Sequence, residues 1–198
     1  MIITATTAIA QDPDFGLKLG LNLASFTGND ARDQDRQSGL VGGVYFDKKI
    51  GGATTFRAEI LYTQKGNHND SLYYDDVFTI RRHIDYIEVP LLIKLHPQDI
   101  GDLNIFVTGG LNPAFKLTGQ ESTQGPEIDT TTDIEHLSAF DLGFSIGWGM
   151  FICRGKHRTT FEMRFTQGMD SCYESGRFLN IKNSVISFML STNFRQIV

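Results

Sequence analysis

Eight times along its 198 residues the chain alternates apolar and polar side chains with a period of two. This period places successive residues on opposite faces of a β-strand. The first stretch, Phe15 to Phe26, has Phe15, Leu17, Leu19, Leu21 and Leu23 on one face and Gly16, Lys18, Gly20, Asn22 and Ala24 on the other. The second, Gly39 to Asp47, carries Leu40, Val44 and Phe46 against Val41 and Tyr45. In the third, Thr55 to Lys65, Phe56, Ala58, Ile60 and Tyr62 oppose Arg57, Glu59, Leu61 and Thr63. The fourth, His83 to Leu95, sets Ile87, Val89, Leu91, Ile93 and Leu95 against Tyr86, Glu88, Pro90, Leu92 and Lys94. Leu103 to Thr118, Ala139 to Cys153, Thr159 to Met169 and Ser184 to Phe194 complete the set. These stretches predict an all-β chain; together with the loop lengths and the contents of the polar face they predict an eight-stranded antiparallel up-and-down transmembrane β-barrel.

The connections alternate in length. Those after the odd strands (29 to 37, 66 to 82, 119 to 137 and 170 to 183) are long and polar. Those after the even strands are short. Membrane barrels have long external loops and short periplasmic turns. An even strand count then leaves both chain ends in the periplasm. Pro90 lies inside the fourth strand and cannot donate a ladder bond, so a bulge is expected there.

Alternation alone does not say which face is inside. A soluble eight-stranded barrel of lipocalin type would enclose the apolar face and bind a ligand in it. Two features favour the inverted arrangement. Gly16, Gly20, Gly110, Gly143, Gly147 and Gly149 sit on the polar face, where a narrow lumen has little room. That face also carries both signs of charge: Arg57 with Glu59, Glu88 with Lys94, Lys116 with Asp141 and Glu162 with Arg164. Buried charges persist only when paired, so an internal ion-pair network is expected. Two aromatic belts agree with membrane interfaces. Phe15, Phe46, Phe56, Phe161 and Phe194 form one, and Tyr62, Phe115 and Phe140 the other.

The net charge of -5 argues against a nucleic-acid partner. The opening Met1 to Ala10, with small residues before Gln11, reads as the remnant of an export signal, which leaves 11–198 as the barrel domain.

Six segments carry a family resemblance: GLKLGLNLASF from Gly16, FRAEILYTQKG from Phe56, DYIEVPLLIKL from Asp85, FVTGGLNPAFKLTG from Phe106, FDLGFSIGWGM from Phe140 and SVISFMLSTNF from Ser184. Together they resemble the PorT-family outer-membrane β-barrel proteins of Bacteroidetes. The resemblance implies location in the cell outer membrane and a link to type IX secretion. It also implies that a Pro follows the Glu in the fourth strand, as Pro90 follows Glu88.

No catalytic, cofactor-binding or metal-binding residue is assigned. The five histidines are His68, His83, His96, His136 and His157. A lipid A-modifying hydrolase is the enzymatic alternative, drawn from His83, Ser138 and Glu135. Asp30, Asp33 and Asp35, or Asp70, Asp75 and Asp76, supply calcium-type oxygen ligands but no ordered calcium loop. Cys153 and Cys172 should lie about a bilayer thickness apart, beyond disulfide reach. The reading is a non-catalytic, likewise cofactor-free barrel with a side-chain-filled lumen. It would be a monomer in outer-membrane lipid, in an envelope structural or secretion-accessory role through its external loops.

Overall fold

Strands whose two faces differ in polarity pair wherever like faces align, and each alternating stretch does so here. The computed structural model describes residues 13–28, 35–73, 76–96, 99–100, 103–125, 129–134, 137–154, 157–171 and 181–194. In chain order the strands are β1 (Asp14–Thr27), β2 (Asp35–Gly51), β3 (Thr54–Tyr73), β4 (Asp76–Glu88), β5 (Leu91–Leu95), β6 (Asp99–Ile100), β7 (Leu103–Gln124), β8 (Asp129–Asp133), β9 (Phe140–Arg154), β10 (His157–Gly168) and β11 (Lys182–Asn193). Among them, β4 and β5 form one interrupted stave, and β6 and β8 are short additions to β7. Eight staves therefore close into a ring of antiparallel neighbours. It closes because β11 pairs with both β10 and β1, and β2 joins β1 to β3.

The faces fall as the inverted arrangement requires. Leu19, Leu91, Ile146 and Phe188 are exposed at 68%, 43%, 56% and 39%, while Arg57 and Glu162 are both at 0%. A soluble barrel would have these values reversed, so the lipocalin-like alternative is excluded. An apolar outer wall over polar contents is stable only against hydrocarbon, and among the described residues ring closure leaves no open strand edge within the apolar belt.

Pro90 brings a correction. The strand is interrupted at 89–90, but the register is the same on both sides: Leu61 faces Glu88 and Ala58 faces Leu91 across β3. The neighbours hold the break closed. Val89 N–H donates to Pro113 O at 2.8 Å, and Pro90 O accepts from Glu59 N–H at 3.0 Å. The irregularity on this stave lies instead between Asp85 and Tyr86, opposite β7.

The long connections also differ from expectation. Where the sequence predicts a loop over 66 to 82, β3 and β4 continue as a hairpin as far as Tyr73 opposite Asp76. Likewise β7 runs on to Gln124 and turns back through β8. These segments do not alternate in polarity, and β8 is exposed at all five residues, as expected where both faces of a strand meet water. The short connection after β2 is tighter than expected, with Gly51 opposite Thr54 and Gly52 at φ 44°. A left-handed value like this favours glycine.

Both described chain ends meet at the end of the barrel away from these hairpins. Phe194 N–H donates to the carbonyl of Phe15 at 2.6 Å, extending the last pairing. Residues 1–12, which include the stretch expected to be an export-signal remnant, and the tail after Phe194 lie outside the described residues.

Candidate functional site: the filled lumen

Inward positions on β1, β3 and β10 place three cations and two carboxylates at mid-height. Lys18 Nζ lies 2.5 Å from Glu59 and 2.8 Å from Glu162. Arg164 donates to Glu59 at 2.7 Å and to Glu162 at 2.5 Å. Arg57 reaches Glu162 at 3.2 Å and lies 3.7 Å from Glu59. Each carboxylate thus touches three cations, and all five side chains are at most 3% exposed. This dense pairing compensates for removing the charges from water.

Toward the chain termini Arg57 also grips Asp47 with two bonds, 2.6 and 2.7 Å. A bidentate fork of this kind fixes both partners in one geometry. Arg158 bridges Asp14 at 2.7 Å and Asp47 at 3.2 Å. Lys94 stands 4.0 Å over the Phe106 ring and 3.9 Å from Asp47. Phe106 itself is 1% exposed. Its ring occupies the space that a side chain at Gly149 would need, and the Tyr45 ring does the same at Gly16. Glycine on the inner face therefore makes room for large inward rings, which refines the expectation that it fits a narrow interior.

Toward the hairpins the lumen changes character. Lys65 meets Glu88 at 2.7 Å, Asn112 Nδ2 donates to Glu88 at 3.1 Å, and Asn183 Nδ2 donates to Asp141 at 2.7 Å. Beyond them Phe26, Ile84, Tyr86, Ala114, Leu137 and Ile181 pack into a buried apolar cluster toward that end. Leu137 comes from the segment after β8, and its carbonyl accepts from Lys116 Nζ at 2.9 Å.

Of the four expected ion pairs, Arg57 with Glu59 and Glu162 with Arg164 are present. The other two are corrected. Glu88 pairs with Lys65 while Lys94 turns to Asp47 and the rings, and Lys116 bonds a backbone carbonyl while Asp141 takes Asn183. Residues opposite in polarity pattern need not be opposite in space, because strand stagger decides which charges meet. Asp47, Lys65 and Arg158 were missed as lumen charges. Asp47 and Lys65 end their predicted strands and Arg158 precedes the seventh, so their inward parity was the available signal.

Of the residues considered for hydrolysis, His83 and Ser138 have separate partners. His83 Nε2 lies 3.1 Å from Asp85. Ser138 Oγ donates to the carbonyl of Phe140 at 2.7 Å, and no hydrogen bond joins it to His83. Glu135 and His136 lie outside the described residues. So do Asp30, Asp33 and Asp75 and the side chains of Asp35, Asp70 and Asp76. Among the described residues no group of three His, Cys, Asp or Glu is placed to hold a metal ion. Cys153 is an exposed free thiol near the chain-terminal end, and Cys172 lies outside the described residues. His96, in the turn after β5, is held below its usual range by burial and by the nearby Lys94 ammonium.

Two pairs of the expected aromatic neighbours meet on the outer surface. The Phe15 and Phe46 rings meet at a tilt, 5.1 Å between centroids, near the chain ends, and Phe115 and Phe140 do so at 5.4 Å toward the hairpins.

The family described as outer membrane protein beta-barrel domain matches residues 9–174. No curated protein matches the chain. Among solved structures it is similar to Neisserial surface protein A, at 10% identity over 93% of this chain and all of that one, with a TM-score of 0.49. It is also similar to OprG from Pseudomonas aeruginosa, at 12% identity over 94% of this chain and 98% of that one, with a TM-score of 0.46. The attachment invasion locus protein Ail of Yersinia pestis is similar at 7% identity over 93% and 100%, with a TM-score of 0.44.

Proposed function

Because the chain belongs to the outer membrane protein β-barrel domain family, we propose that it is a closed, non-catalytic barrel that holds its polar hairpins at the cell surface. There it serves an envelope structural or secretion-accessory role. The observation that carries this reading is the lumen. Five charged side chains at mid-height are locked to one another, and a buried apolar cluster packs toward the hairpin end. An eight-stranded barrel encloses only enough space for side chains, and here they leave no charged path for solute. The β8 strand is exposed at the hairpin end, and contacts are made there.

The orientation that goes with this role puts the chain termini in the periplasm and the β3–β4 and β7–β8 hairpins outside. Chain-end placement and connection length both support it. The resemblance to PorT-family proteins supports a place beside secretion machinery. The barrel works as a monomer in outer-membrane lipid, since ring closure leaves no strand edge within the apolar belt.

Planar-bilayer recording tests the closed lumen. Purified protein is expected to add no stable single-channel current above background; steady unitary steps would overturn the reading. Protease treatment of intact cells tests the orientation. Cleavage in the β3–β4 hairpin is expected, and cleavage only after the outer membrane is permeabilised would reverse it.

A further inference from the structure

Where β7 leaves the apolar belt, its two sides part company. One side continues along β4, with Thr79 opposite Gln124 and Arg82 opposite Glu121. The other gains β8, with Gln120 opposite Asp133, Ser122 opposite Thr131 and Gln124 opposite Asp129. Among the described residues no strand pairs with the far side of β8. The protruding sheet therefore ends in an edge strand, Asp129-Thr130-Thr131-Thr132-Asp133, whose five residues are all exposed.

The register tells which backbone groups this edge presents. Ile134 N–H donates to Gly119 O at 2.9 Å, one step beyond the Gln120–Asp133 pair. In an antiparallel ladder, bonded and non-bonded pairs alternate. Thr132 and Thr130 therefore bond to β7. Asp133, Thr131 and Asp129 direct their N–H and C=O groups away from it, toward the open side. The same three residues share one face by strand parity. The edge thus offers three outward pairs of backbone groups, with a carboxylate at each end and a threonine between.

We propose that β8 is a docking edge for an extended segment of another envelope or extracellular protein, which adds as an antiparallel strand and carries basic residues four positions apart. Backbone bonds of this kind supply affinity, and side chains at alternate positions supply specificity. The charge pattern selects the occupant. A second copy pairing antiparallel through the same edge would set Asp129 of one chain against Asp133 of the other. Like charges directly opposite are destabilising, so the edge repels its own copy. Charge placed on an edge in this way also guards against uncontrolled pairing. Lysine or arginine at both positions reverses the sign and completes the two cross-strand pairs. The inference rests on the exterior placement of the hairpins for where the partner is met.

The test uses the full-length protein in detergent micelles and a fluorescent synthetic peptide, Thr-Lys-Val-Thr-Val-Lys-Thr, followed by anisotropy. Saturable binding is expected. Replacing both peptide lysines by glutamate should abolish it, and Asp129→Asn with Asp133→Asn should weaken it about fivefold. Thr131→Pro removes the central outward N–H without touching a bond to β7, and is expected to cost at least tenfold. N-methylation of the peptide's central threonine makes the matching change with the barrel untouched, so misfolding of the variant cannot mimic the result. Unchanged binding after either backbone change overturns the proposal. So does a dimer without peptide that Thr131→Pro dissociates, which would assign the edge to a second copy. Binding in micelles does not depend on orientation, so this result fails or succeeds separately from the protease test above.

Discussion

The staves β3, β4 and β7 pass through two solvents, and their side chains differ accordingly. Within the belt, outward residues such as Ile60, Val107 and Leu111 are apolar and exposed at 44% to 56%. Inward residues such as Arg57, Glu59 and Thr108 are polar and at most 3% exposed. Beyond the belt the same backbone ladder continues, yet β8 is polar on both faces and exposed at all five residues. Hydrogen bonding is common to both regions. What changes is the medium outside, and with it the penalty for a misplaced side chain.

This contrast predicts graded sensitivities. The largest effect belongs to the lumen. Glu162→Gln leaves Lys18, Arg57 and Arg164 buried around Glu59 as the remaining mid-height carboxylate, at a cost of about 3–5 kcal/mol. Guanidinium unfolding in detergent, followed by heat-modifiable gel mobility, measures it. A loss below about 1 kcal/mol would mean that water enters the network.

Next comes the outer belt. Leu19→Arg should cost about 2–4 kcal/mol in lipid vesicles if Leu19 lies near mid-membrane. Packing inside the terminal half ranks below it. Gly149→Val collides with the Phe106 ring, for about 1–3 kcal/mol. Adding Phe106→Ala should recover part of that loss. Independent, additive costs in the double-mutant cycle would refute the contact. The smallest effect lies in the protruding sheet, where Thr132→Arg should stay within about 0.5 kcal/mol. If it matched Leu19→Arg, the two regions would share one environment and the comparison would fail.

The same contrast explains what could be read from sequence. Alternation is legible only where lipid or a lumen imposes it. Hence the eight staves, the outward face of β1 and the buried Arg57, Glu59 and Glu162 were all readable. The hairpin extensions of β3, β4 and β7 were not, because strands with water on both faces carry no period-two signal. Phe106 and Tyr45 were harder for a second reason. A large ring on the polar face reads as an exception until the glycine across from it is seen, as Gly149 faces Phe106 and Gly16 faces Tyr45. Ion-pair partners were half legible. Pairs near in sequence, such as Glu162 with Arg164, follow from parity alone. Lys18 with Glu162 and Lys65 with Glu88 depend on barrel stagger, which no single strand encodes.

The assignment of faces is tested most directly by nitroxide labels placed singly at Leu19, Leu91, Ile146 and Phe188 in a cysteine-free background, reconstituted in bilayers. Power saturation should show all four labels accessible to oxygen and shielded from a water-soluble nickel chelate. Labels reached by the chelate, or shielded from both reagents as in a packed core, would contradict the account.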